Sequence, residues 1–286
     1  MDEKQRLRIQ AWFGDDRTLE RLVAHYQVET ELADRLRNAN QEQRRGLYST
    51  VYDELFRRVP DHPQLKQKLA GQSRAEVRSL RKLLCRYLRP HHAFLEIGAG
   101  DCALATEIAP LVTKVYAVDV SAEIVKNVEL PSNIELLLSD GCTIPCPTNG
   151  VDVAFSNQVM EHLHPDDAMQ QLRDVYNVLK PGGRYICLTP NRLSGPHDIS
   201  VYFDDNATGF HLKEYTLGEL ATFFRQVGFR RLTALVGSRG MYVPLPVGVV
   251  SSIEHLISSL RNRFGAGASH TLPARLFLGI TIVAKK

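Results

Sequence analysis

The sequence predicts an α/β fold: seven mostly parallel strands with helices on both faces, entered through a helical N-terminal cap over residues 1–90. Three observations predict it. First, the apolar run Ala93-Phe94-Leu95 leads into Glu96-Ile97-Gly98-Ala99-Gly100-Asp101-Cys102, and a helix-like stretch, residues 103–108, starts at once. A buried strand breaking directly into a helix needs glycine where the backbone turns to positive φ, and the helix start presents free N–H groups. Second, later apolar runs repeat this layout, each ending in polar residues: Val115–Val118 in Asp119, Ile134–Leu138 in Ser139-Asp140-Gly141, and Val151–Phe155 in Ser156-Asn157-Gln158. Third, the links between helices and strands are short, as in Leu179-Lys180-Pro181-Gly182-Gly183, which favours parallel strands with right-handed crossovers.

The elements follow in order. Asp15-Asp16 can cap a helix carrying Leu19, Leu22, Val23 and Tyr26 at helical spacing. A second helix, near Gln41 to Val59, bears Leu47, Tyr48, Val51, Tyr52, Leu55 and Phe56 and is stopped by Pro60. A third uses Val77, Leu80, Leu83, Leu84, Tyr87 and Leu88 and ends at Pro90. The cap is rich in arginine (Arg44-Arg45, Arg57-Arg58, Arg81-Lys82), which reads either as a solvated basic face or as anion-holding side chains beside a pocket lined by Tyr48 and Tyr52. Asp166-Asp167 can open a helix carrying Met169, Leu172, Val175, Tyr176 and Leu179, closed by Pro181-Gly182-Gly183, and a fifth strand covers Arg184–Leu188. A long polar loop spans residues 191–215, of a length that is usually functional. Thr216-x-x-Glu219 is a capping box for a helix ending before Gly228. Two last strands are expected near Arg231–Val236 and Leu276–Val283, with a helical insertion over residues 240–272 that reads as a lid, a dimer contact or a membrane-surface contact.

Composition narrows the classes. A chain of 286 residues with 44% hydrophobic and 23% charged residues is that of an ordinary globular protein. A net charge of +3 gives no footprint for nucleic acid, so no DNA partner is expected. Five scattered cysteines build no disulfide framework, and a cytoplasmic location is the expectation. The N-terminus lacks the apolar run of a signal peptide, and the stretch from Met241 to Leu260 is broken by Pro244, Pro246, Glu254 and His255, so no transmembrane segment is read.

Glu96-x-Gly98-x-Gly100, Asp119, Asp140-Gly141, Asp152 and Leu179-Lys180-Pro181-Gly182-Gly183, in this order, resemble the class I S-adenosylmethionine-dependent methyltransferases, whose fold is Rossmann-like, over roughly residues 90–190. The resemblance implies S-adenosyl-L-methionine as cofactor. It implies that Gly98 and Gly100 pass close to the methionine part, that Asp119 holds the ribose and that Asp140 with Cys142 reads the adenine edge, with Glu96, Ala99, Val120 and Gly141 also expected among the cofactor-binding residues. In the resembling fold Asn157 and Gln158 are expected beside the methyl donor. The departure is Cys102, where the family often has a small residue or glycine.

A sulfonium methyl is already electrophilic, so the protein must align a nucleophile, and a hydroxyl nucleophile also needs a base titrating near neutrality. His162 and His211 are the catalytic candidates; His164 and His197 read as loop residues. A cation-dependent subset, the ubiquinone-pathway O-methyltransferases and small-RNA 2′-O-methyltransferases, carries Glu-x-x-Glu-His plus a distant histidine. Here the positions read Gln158-Val159-Met160-Glu161-His162, with His211 before Lys213. Gln158 removes one charge, so Mg2+ is an option and no metal ligand is assigned. The expected function is O-methylation of a small-molecule acceptor in biosynthetic metabolism, by a chain that could form a homodimer. RNA ribose methylation, a nicotinamide-dependent oxidoreductase and a non-catalytic binder on the same sheet are the alternatives.

Overall fold

The computed structural model describes residues 10–11, 14–63, 74–120, 129–238, 240–264 and 277–286. Helices α1 (Leu19–Asn38), α2 (Gln41–Arg58) and α3 (Arg74–Leu84) precede the sheet. The N-cap of α1 is Thr18, which accepts from the Arg21 N–H, so Asp15-Asp16 do not fill that role. Asp15 instead pairs with Arg17 at 2.7 Å. Asn40 and Gln43 form a reciprocal capping box for α2.

Eight strands make one sheet in the order β3-β2-β1-β4-β5-β8-β6-β7. β1 (Ala93–Ile97), β2 (Lys114–Asp119), β3 (Ile134–Leu138), β4 (Val151–Asn157) and β5 (Leu179–Pro190) pair in parallel. β8 (Gly279–Lys285) lies antiparallel between β5 and β6 (Arg231–Ser238). The expected seven strands are joined by an eighth, β7 (Met241–Pro246), at the edge beyond β6. Its two prolines concealed it, yet an edge strand tolerates a missing N–H on its solvent side. The expected insertion therefore begins as a strand, continues as helix α7 (Val247–Phe264), and runs beyond residue 264 outside the described residues. The Pro181-Gly182-Gly183 stretch lies inside β5, not at a helix end.

Side-chain alternation divides the core between the two sheet faces. Phe94, Val153 and Phe155 join Val77, Leu80, Leu83 and Leu84 of α3 and Leu104, Ala105 and Ile108 of α4 (Ala103–Ile108). Leu95, Ile97, Ala154 and Tyr185 face the other way, onto Leu32 and Leu36 of α1, Val51 and Leu55 of α2, and helices α5 (Pro165–Val178) and α6 (Leu217–Val227). Within the expected cap, α1 and α2 thus cover one face and α3 the other. Arg44 of α2 grips Asp167 of α5 at 2.5 and 3.0 Å, both buried, and Tyr48 donates to the same carboxylate at 2.7 Å. The strand order reverses between β1 and β4, and ligands of such sheets bind outside the carboxyl ends at that reversal.

Candidate functional site

The loop after β1 takes the form its glycines foretell. Gly98 and Gly100 have φ of +73° and +52°, and Cys102, in place of a third glycine, also sits left-handed at +57°. A Cβ on Gly98 would stand 2.6 Å from Val159 Cγ2, so the residue is required by space as well as conformation. Gly98 and Ala99 donate to the Val118 carbonyl at 2.8 and 3.1 Å, tying the loop to β2. Asp119 Oδ2 accepts the Gly100 N–H at 2.8 Å, so the acid that ends β2 also shapes the loop, and Val120 follows it directly. Glu96 is buried, its Oε2 has no hydrogen-bond partner among the described residues, and burial next to Asp101 and Asp119 pushes its carboxyl up to about 8. An orphaned buried acid beside a positive-φ loop suits a cationic ligand group.

After β3 the carboxylate of Asp140 is partly consumed. Its Oδ1 accepts from the Cys142 N–H, the Thr143 N–H and the Thr143 hydroxyl, and Oδ2 lies 3.5 Å from Arg45. Burial alone would raise this carboxyl, but those bonds hold it below its usual value. Gly141 (φ +86°) has the Tyr48 ring where its Cβ would be, at 2.9 Å. Cys142 is fully buried, so only its backbone could meet a nucleoside. Asn157 ends β4, and Gln158, exposed at φ +56°, donates to the Leu188 carbonyl at 2.9 Å. Gln158 is not among the groups gathered below.

The two candidate histidines converge. Their rings lie 4.8 Å apart, edge to face, and with Glu161 they place one ligand atom each within 4.8 Å of one another. His162 Nδ1 lies 3.1 Å from the Phe210 carbonyl; a carbonyl only accepts, so this nitrogen carries the proton and Nε2 is bare. Burial, with His211 adding to it, pushes the His162 imidazole down to about 3. His211 Nδ1 donates to Glu214 Oε1 at 2.7 Å. Burial works against a charged His211, but the Glu214 bond and the nearby Glu161 and Asp198 carboxylates outweigh it and raise its pKa. Burial likewise opposes ionisation of Glu214, yet hydrogen bonds from His197 and His211 hold it far below the usual range. Glu161 accepts from Thr189 at 2.9 Å through Oε2, while Oε1 has no partner among the described residues; burial lifts this carboxyl to about 6.

Both histidines line a cavity of about 430 Å³ between α1, α2 and the 191–215 loop. Sequence reasoning missed most of its wall: Arg17, His25 and Glu29 from the N-terminal region and Asp198 and Tyr202 from the loop. Of the two tyrosines expected at a pocket, Tyr52 lines it and Tyr48 does not. His25, Glu29 and His62 form a second buried cluster. Arg17 donates to His25 Nδ1 at 2.9 Å, so His25 Nε2 keeps the proton it gives Glu29 at 2.6 Å: a hydrogen-bonded charge network with no lone pair of His25 left for a metal. His164 caps α5. His197 joins Glu214 through its N–H at 2.8 Å and its ring at 3.3 Å.

Comparison with known proteins agrees with this geometry. A family described as "Methyltransferase domain" matches residues 95–187. A Mycolicibacterium smegmatis protein named "Probable S-adenosylmethionine-dependent methyltransferase" is 30% identical over 136 residues, 47% of this chain and 51% of its own length. A Mycobacterium tuberculosis protein of the same description is 31% identical over the same length, 47% of each chain. This chain therefore spans about half the length of these curated relatives. A Streptomyces fradiae protein encoded in a transposon is 29% identical over 233 residues, 76% of this chain and 64% of its own. Among solved structures, a SAM-dependent methyltransferase from Archaeoglobus fulgidus shares the fold with a TM-score of 0.51 at 20% identity, covering 78% of this chain and 98% of that one. The glycine loop and the strand-end acids lie within residues 95–187, the part of the chain that matches a methyltransferase domain and is similar to S-adenosylmethionine-dependent methyltransferases.

Proposed function

We propose that the chain transfers a methyl group from S-adenosyl-L-methionine to a hydroxyl of a small molecule held in the cavity between the N-terminal helices and the 191–215 loop. The observation that carries this reading is the His211–Glu214 pair, 2.7 Å apart, with His211 lining that cavity beside His162. The cofactor supplies an activated methyl. Glu96, with its orphaned oxygen, would take the cofactor's amino group, and Asp119 its ribose hydroxyls.

His211 is the base. Its Nδ1 proton is committed to Glu214, so a hydroxyl proton goes to Nε2, and Glu214 stabilises the imidazolium that results. His162 orients the acceptor: its bare Nε2 can take a hydrogen bond from the same hydroxyl. Burial of Tyr52 and Phe210 against this corner keeps water away. Methyl transfer from labelled cofactor to a panel of phenols, catechols and sugars tests the reading. The expected result is label on a hydroxyl oxygen, reduced about 10²- to 10⁴-fold in His211→Ala with cofactor binding intact. Transfer to amines only, or full rate in His211→Ala, would contradict it.

A second reading is favoured by Glu161, whose Oε1 lacks a partner among the described residues within reach of both histidines. Two imidazoles and one carboxylate suit a transition cation; Mg2+, which demands oxygen ligands, fits this set poorly. The second ring nitrogens are already held by Phe210 and Glu214, as ligating histidines usually are. A chelator-sensitive melting temperature, abolished by Glu161→Ala, would establish it.

A further inference from the structure

We propose that α1 sets the working tautomer of His162: Glu29, aided by Arg37, is a positioning residue that clamps the backbone of residues 208–210 and so fixes the carbonyl that takes the His162 Nδ1 proton. This rests on the reading of His162 as part of the methyl-transfer site.

Three hydrogen bonds from one helix converge on this short segment. Arg37 donates to the carbonyls of Thr208 and Gly209 at 2.7 and 2.9 Å, and Glu29 Oε1 accepts the Phe210 N–H at 2.9 Å. The next group along the chain, the Phe210 carbonyl, is the one that meets His162. Gly209 makes the approach possible: a Cβ there would stand 2.3 Å from Glu29 Oε1 and 2.8 Å from Asp198 Oδ2. Glu29 is itself fixed, its Oε2 taking the His25 Nε2 proton at 2.6 Å, with His25 oriented in turn by Arg17. The Tyr52 ring packs on Phe210 with centroids 4.9 Å apart and holds the other side.

The chemical need for such a clamp follows from imidazole itself. A neutral histidine ordinarily favours the Nε2–H form, and in that form His162 would present a proton where an acceptor hydroxyl needs a lone pair. The Phe210 carbonyl reverses the preference, and it can do so only if its position is held. An interaction between helix α1 and His162 thus passes through one residue of backbone. It links the N-terminal helices, from the wall of the cavity, to the reacting corner.

The direct test is nitrogen NMR of the full chain with labelled histidine, the His162 signals being assigned by their loss in His162→Gln. Wild type is expected to show His162 wholly protonated at Nδ1. In Glu29→Ala and in the milder Arg37→Ala, His162 should move toward the Nε2–H form, with kcat for the hydroxyl acceptor falling roughly 10- to 100-fold and cofactor affinity unchanged. Glu29→Gln keeps one acceptor for the Phe210 N–H while losing the one for His25, and should retain more of the Nδ1–H form and of kcat than Glu29→Ala. The inference is overturned if His162 stays Nδ1-protonated in folded Glu29→Ala or, should that variant fail to fold, in Arg37→Ala. Wild-type His162 protonated at Nε2 would overturn it equally. Because the tautomer is read without turnover, a chain that methylates no hydroxyl refutes the function and leaves this result to stand or fall alone.

Discussion

Glu96 and His211 are buried groups driven toward the protonated form by different causes, burial for Glu96 and carboxylate neighbours for His211. Glu96 is lifted to about 8 by burial, with Asp101 and Asp119 adding to it. Its protonated form is therefore favoured at pH 7 in the ligand-free chain. Its folded pKa exceeds its unfolded value of 4.5, so its contribution to stability is full below about 4.5 and declines as pH rises through about 8. A cationic amino group pairing with Glu96 would expel the proton. Titration calorimetry of S-adenosylhomocysteine in buffers of different ionisation enthalpy should then show proton release at pH 7, absent in Glu96→Gln. Burial opposes a charged His211, but Glu214 raises its pKa above 6.5, so in the proposed mechanism the free chain must lose that proton before His211 can act as a base. The rate kcat/KM should rise with pH through an inflection above 6.5, and Glu214→Gln should move that inflection to lower pH. A profile unchanged by Glu214→Gln would remove Glu214 from the mechanism.

At the scale of elements, what could be read from sequence was what neighbouring residues settle among themselves. The loop of β1 was legible because positive φ demands glycine at 98 and 100; Cys102 kept the left-handed turn without one, which no spacing rule announces. Gly98→Ala should abolish cofactor binding, since its Cβ would meet Val159 at 2.6 Å at a φ of +73°. The Thr216–Glu219 box is present with both reciprocal bonds, and Thr216→Ala should cost about 1 kcal/mol of stability by denaturant melt. β7 was hidden because its prolines contradict an interior strand, and only the edge position, fixed by the whole sheet, permits them.

At the scale of the molecule, the wall of the cavity was not legible. Glu29 and Phe210 are 181 residues apart in sequence, and no local pattern links a glutamate in the middle of a helix to a backbone amide in a distant loop. The histidines were legible as a pair only through a family pattern, and their partners Glu214 and Phe210 only in the folded chain. The Arg44–Asp167 bond that fastens α2 to α5 is another long-range feature. Arg44→Ala leaves the buried Asp167 carboxylate without its charge partner, with the Tyr48 hydroxyl still donating to it, and should destabilise the fold by roughly 3 kcal/mol. A folded state weakened by less than about 1 kcal/mol in that variant would show the N-terminal helices to be loosely attached.

The central claim is a division of labour: the strand-end acids hold the cofactor and the histidine pair serves the acceptor. Calorimetric titration of S-adenosylhomocysteine into wild type, Asp119→Ala and His211→Ala tests it most directly. The account predicts binding to wild type, at least about tenfold weaker binding to Asp119→Ala, which corresponds to about 1.4 kcal/mol, and unchanged binding to His211→Ala. No binding to wild type, or equal weakening in both variants, would contradict it.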